Sequence, residues 1–163
     1  MNMRNRYTKI ILSAAAACYL ILVCFNNTFD YGANFQFVAH VTSMDDVFSH
    51  ERNGWRALTS PVAHHVLYLI IIAIEYVIAY LLIRGTWSMW AVREADAKTF
   101  RHAGRHTSSG LLLAVLLWFV VFVVVAGEWF LMWQSKTWNG ESSAFFLTIV
   151  LLLLLIHQNA KDE

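Results

Sequence analysis

The sequence predicts an all-α membrane protein, a four-transmembrane-helix bundle with a structured helical outer loop between spans one and two. Three observations predict it. Of 163 residues, 58% are hydrophobic and only 14% charged, against roughly 45–50% apolar in soluble domains. The apolar residues are bunched into four stretches rather than spread periodically. The lysines and arginines collect in alternate intervening segments, as the positive-inside rule requires. The length allows one domain, and we read 1–163 as a single membrane domain. A formal net charge of +1 lacks the dominant basic face of a nucleic-acid binder, so no nucleic-acid partner is expected.

Spans are expected at about 10–25, 62–84, 109–133 and 143–157. Crossing a hydrocarbon core of about 30 Å takes about 20 helical residues. The second and third stretches meet that length, whereas the first and fourth are short and borrow flanking polar residues or tilt. The basic start, apolar core and Ala14–Ala17 before Cys18 resemble a cleavable signal. The apolar run continues past Cys18 to Phe25, however, so an intact first span is expected. Cys18 and Cys24 stand about 9 Å apart on a helix, beyond disulfide reach.

With the amino terminus in the cytoplasm, nine of the twelve cations fall inside: Arg4, Arg6, Lys9, Arg84, Arg93, Lys98, Arg101, Arg105 and Lys161. Arg52, Arg56 and Lys136 fall outside. Both termini are therefore expected in the cytoplasm. Trp87 and Trp90 inside, with Trp129, Trp133 and Trp138 outside, fit interfacial belts.

The outer loop, 26–61, is too rich in aromatic and aliphatic residues to be disordered. Phe37, Val41, Met44 and Phe48 recur at helical spacing. Thr42 or Ser43 before Asp45 and Asp46 reads as a helix start, giving a helical cap. Trp55, Trp133, Trp138 and Asn139 are its expected packing residues, and Pro61 opens span two as a first-turn proline. In the inner loop, Glu94 and Lys98 stand four apart, as on one helix. Arg84, Arg93, Lys98, Arg101 and Arg105 form a basic face expected to lie on anionic lipid.

Two carboxylates lie within apolar stretches, Glu75 and Glu128, where a charge is costly and marks function by default. Counted from the outer ends, Glu75 lies about 21 Å deep and Glu128 about 7 Å, too far apart for one shared site. Glu128 is expected to tie span three to the cap through Arg52, Arg56 or the outer histidines. Glu75 is expected to hydrogen-bond a neighbouring helix, with Ser13 and His157 at similar depth; a proton or ion relay is the sharper reading. The outer histidines His40, His50, His64 and His65, with Asp45, Asp46 and Glu51, make a weaker candidate for zinc or copper. No resident cofactor and no enzyme activity are expected, because no nucleophile motif, phosphate loop or dinucleotide fingerprint is present.

Asp30-Tyr31, Asn34 to Val38, His40-Val41, Ser43 to Asp45 and Trp55-Arg56 resemble a family of predicted small integral membrane proteins, domain of unknown function 2165. Gly127 to Phe130, Met132 to Ser135 and Trp138 to Gly140 are similar to its second signature. The resemblance covers most of the chain. It implies a bacterial inner-membrane protein of four spans and adds no catalytic residue. The expected function is a non-enzymatic scaffold or accessory subunit, in contact with the bilayer and with a membrane-protein partner or a second copy of itself. A proton or ion pathway, or a transport component, through Glu75 and Glu128 is the alternative, and metal handling outside is the third.

Overall fold

The computed structural model describes Met3–Ala160; Lys161, one of the cations expected inside, lies outside the described residues. Among them every regular element is helical, and four helices are long and apolar enough to cross a membrane. This is the all-α membrane class expected. The elements are α1 (Met3–Phe29), α2 (Tyr31–Ser43), α3 (His50–Asn53), α4 (Pro61–Ala91), α5 (Ala97–Ala103), α6 (Arg105–Leu116) and α7 (Glu141–Asn159). Past Leu116, span three continues as a π-helix, Leu117–Trp129.

Polar flanks lengthen the first span well beyond 10–25. At 27 residues, α1 is about 40 Å long at the helical rise. Pro61 opens α4 as expected, because a first-turn proline lacks only an N–H that the helix leaves unbonded anyway. That helix runs through Gly85 to Ala91.

The chain divides into two compact units, each built from segments distant in sequence. The first comprises 1–24, 75–115 and 149–163. Its core includes Ile10, Met89 and Phe100. Gly85 lets α4 approach α6 so closely that a Cβ there would collide with the hydroxyl and backbone nitrogen of Thr107. Gly110 packs more loosely, a Cβ there pressing on the Leu81 and Leu82 side chains at 3.1–3.2 Å, within the small-residue packing that membrane helices use.

The second unit comprises 25–74 and 116–148. Its outer loop is helical, but the helix lies on the other side of the expected start. Helix α2 ends at Ser43, and Met44 closes it in the left-handed region (φ 55°, ψ 28°), its N–H donating to the Val41 carbonyl. Asp45 and Asp46 therefore follow a helix instead of opening one. The winning term is burial: Met44 is fully buried in a cluster with Val41, Val47, Phe130, Leu131 and Met132. Leu131, where the π-helix has ended, is also left-handed (φ 55°). Such a conformation costs a non-glycine residue roughly 1–2 kcal/mol, so one apolar cluster holds two strained turns in place.

Candidate functional site

The outer-loop segment of the second unit is tied down by polar bonds of long sequence separation. The Asp46 carboxylate accepts from the Ser135 hydroxyl (2.6 Å) and the Thr137 backbone N–H (3.1 Å). These bonds, the Ser135 hydroxyl first, hold its pKa below the usual carboxylate value. Ser49 donates through its hydroxyl (2.6 Å) and its backbone N–H (3.2 Å) to the Gln134 amide oxygen. The Arg56 guanidinium lies over the Trp55 and Trp129 rings, 5.4 and 5.5 Å from their centroids, and donates to the Trp129 carbonyl.

Arg56 thus makes the tie to span three that was expected of Glu128. Glu128 and Arg52 are exposed, and neither side chain has an ion-pair or hydrogen-bond partner among the described residues. A guanidinium over two indole faces gains cation–π attraction, and Arg56 adds a hydrogen bond to the Trp129 carbonyl. Of the expected packing residues, Trp138 stacks on His40 (4.4 Å between centroids) and packs on the buried cluster. Asn139 donates to the Trp133 carbonyl and accepts from the Glu141 N–H at the start of α7. Trp133 meets Phe48 edge-on and Trp55 meets Trp129 edge-on. Phe48 and Trp55 nevertheless stay 78% and 72% exposed.

The outer histidines do not converge on a metal. His40 pairs with Asp45 (Nδ1 to Oδ2, 2.7 Å), His50 bonds the Met44 carbonyl, and His64 bonds the Leu58 carbonyl. His65 bonds the Tyr31 hydroxyl and stacks on Phe35. No three His, Cys, Asp or Glu side chains are grouped to hold a metal ion among the described residues. Each imidazole is instead an amphipathic plate that fastens the segment next to it.

In the first unit, Glu75 is 2% exposed, mid-way along α4. Its carboxylate lies within electrostatic range of Tyr19 and Cys24 on α1. Ser13, expected at the same depth, belongs elsewhere. Its hydroxyl bonds those of Thr86 (2.7 Å) and Thr107 (3.0 Å). Thr86 is eleven positions along α4 from Glu75, about 16 Å at the helical rise. His157 is half-buried, and its buried Nε2 has no hydrogen-bond partner among the described residues.

Arg6 and Lys9 carry a role beyond the orientation they were counted for. Arg6 is fully buried; Nη1 donates to the carbonyls of Arg93 (2.7 Å) and Ala95 (2.6 Å), with the guanidinium 4.7 Å from the Phe100 centroid. Lys9 is buried too, its Nζ donating to the Ala160 carbonyl (2.6 Å). A signal for this is present in the sequence. Arg6, Lys9, Ser13, Ala16, Leu20 and Cys24 form one helical stripe, and all are buried.

The Arg6 bonds shape the inner loop. The chain turns between Ala91 and Asp96, so Glu94 and Lys98 do not share a helix as expected. Asp96 caps α5 instead, accepting from the N–H groups of Lys98 and Thr99. Those bonds and the Thr99 hydroxyl, which contributes most, lower its pKa. Lys98, Arg101 and Arg105 are exposed. Arg84 reaches His106 and Tyr80, and Arg93 covers the Trp90 ring.

The second unit also holds a cavity of about 270 Å³. Phe37 and Val41 of α2, Leu67 and Ile71 of α4, and Val121 and Ala126 of the π-helix contribute to its walls. Thr42 is its one hydroxyl-bearing wall residue, and that hydroxyl is already bonded to the Val38 carbonyl (2.7 Å).

No curated protein and no solved structure matches the chain. The family model for predicted small integral membrane proteins matches residues 5–161. The chain therefore belongs to that family, domain of unknown function 2165.

Proposed function

We propose that this protein is a non-enzymatic scaffold or accessory subunit of a complex in the bacterial inner membrane, with both termini cytoplasmic. Its docking surface is the outer loop of the second unit. One observation carries the reading: the loop is fastened by Asp46, Ser49 and Arg56, yet Phe48 and Trp55 stay 78% and 72% exposed. Aromatic residues presented on a rigid frame lose little entropy on binding and recur as binding anchors. Orientation rests on the nine-to-three distribution of cations about the spans. Affinity purification from native membranes tests the proposal. Wild-type protein should retain a stoichiometric membrane partner that Phe48→Ala and Trp55→Ala release, while a lipid-facing variant, Leu153→Ala, keeps it. Protein that purifies alone, or retention indifferent to all three changes, contradicts it.

Burial of Glu75 in a 31-residue spanning helix favours a second reading, a proton or ion pathway, since intramembrane carboxylates mark such routes. Reconstituted protein should then pass protons or cations, with flux lost in Glu75→Gln and reduced in Glu128→Gln. Flux unchanged by both substitutions sinks that reading.

A further inference from the structure

We infer that the cavity of the second unit is a binding site for one acyl chain of an anionic phospholipid. The walls come from α4 and the π-helix, both within membrane-spanning segments, and from α2. With Thr42 internally bonded, they turn no free polar group inward, so a hydrogen-bonding ligand or a water cluster has nothing to hold. Its volume, about 270 Å³, is well above the roughly 150 Å³ at which an apolar cavity already accepts a benzene-sized guest. A partner helix, about 10–12 Å across, is too thick to enter. Rim residues Ile70 and Val125 are 50% and 39% exposed, which leaves the cavity open to surrounding lipid.

The π-helix shapes the site. Its wider turn closes with a Phe130 N–H to Val125 carbonyl bond (3.0 Å); π-helical turns are rare and frequently found at functional sites. Charge selects a phospholipid over a neutral hydrocarbon. Phe130 lines the cavity, and the residue before it, Trp129, accepts the Arg56 guanidinium. A cation is thus hydrogen-bonded to the residue next to a wall residue of an almost wholly apolar chamber, a combination that a phosphate with an attached chain complements. The inference goes beyond the accessory-subunit reading and does not depend on it.

The full-length protein, reconstituted in phosphatidylglycerol–phosphatidylcholine vesicles with a phospholipid bearing an acyl-chain diazirine, tests it. Adducts should map to 67–74 and 117–126 and saturate near one lipid per chain. Ala126→Phe, and independently Val121→Trp, should lower that labelling by about tenfold, a modest loss of binding free energy, with labelling at Leu153 unchanged. Helix content and thermal melting identify any variant that fails to fold, and the other then decides. Arg56→Gln should remove the preference for phosphatidylglycerol over phosphatidylcholine while leaving chain labelling in place. Labelling that never saturates, or that survives both filling substitutions in folded protein, overturns the site. A headgroup preference unchanged in Arg56→Gln overturns the assignment to an anionic phospholipid.

Discussion

The two units differ in what holds them together. The first buries Arg6, Lys9, Ser13, Glu75 and Thr107, and the long-range bonds of Arg6, Lys9 and Ser13 run from these buried side chains to backbone carbonyls or other hydroxyls. The second relies on aromatic plates, two strained turns set in an apolar cluster, and partly exposed polar clasps. A charge fully removed from water must be satisfied in one geometry, so the first arrangement is rigid and intolerant of change. Stacked rings and an apolar cavity tolerate substitution and accept guests. Both binding proposals concern the second unit.

The difference is best broken at Arg6. Arg6→Ala removes the donor of two charge-assisted bonds, and should cost roughly 3 kcal/mol or more. At roughly 2–4 °C per kcal/mol for a chain of this size, detergent-solubilised protein should melt roughly 6–12 °C lower. Gly85→Ala should cost roughly 1–3 kcal/mol through overpacking against the Thr107 backbone. Ser13→Ala, which removes the bridge between Thr86 and Thr107, should cost about 1 kcal/mol by the same melting assay. Losses in the second unit as large as that of Arg6→Ala, from Trp55→Ala for example, would erase the distinction.

A smaller, pH-dependent effect sharpens it. Asp46 and Asp96 both have pKa values lowered by hydrogen bonds to their charged forms. A lowered folded-state value contributes stability above the ordinary carboxylate range, and the contribution is lost as pH falls through the folded value. Acidification below about pH 4 should therefore loosen both sites, with different reach. Asp46 bridges to Ser135 across 89 positions, so hydrogen exchange should rise through the outer loop, and Asp46→Asn should abolish that acid response. Asp96 caps α5 locally, and its protonation should fray that helix alone. Smallest of all, Glu128→Gln should leave melting unchanged, because Glu128 is exposed and has no partner among the described residues.

The spans were legible because bilayer thickness imposes a length that composition reveals. The helical character of the outer loop was legible as well, from the spacing of Phe37, Val41 and Met44. The end of that helix was not. Asp45 and Asp46 carry the chemistry of a first turn, but burial of Met44 outweighed it, and their partners, His40 and Ser135, lie five and 89 positions away. Arg6 and Lys9 were hidden for a related reason. Positive charge near a membrane helix end signals orientation so strongly that it masks the continuity of Arg6 and Lys9 with the buried stripe of α1. The tie of Glu128 was not legible because position in a span does not say which way a side chain points, and Arg56 makes that tie instead.

In the proposed role, the fastened outer loop of the second unit presents Phe48 and Trp55 to a membrane partner. The most direct measurement is quantitative co-purification from native membranes, comparing wild type with the Phe48→Ala, Trp55→Ala double variant at equal expression and equal melting temperature. A partner present at near-stoichiometric yield with wild type and lost from the double variant is the predicted result. A chain that purifies without a companion, or one whose companion remains bound when both aromatics are gone, would contradict it.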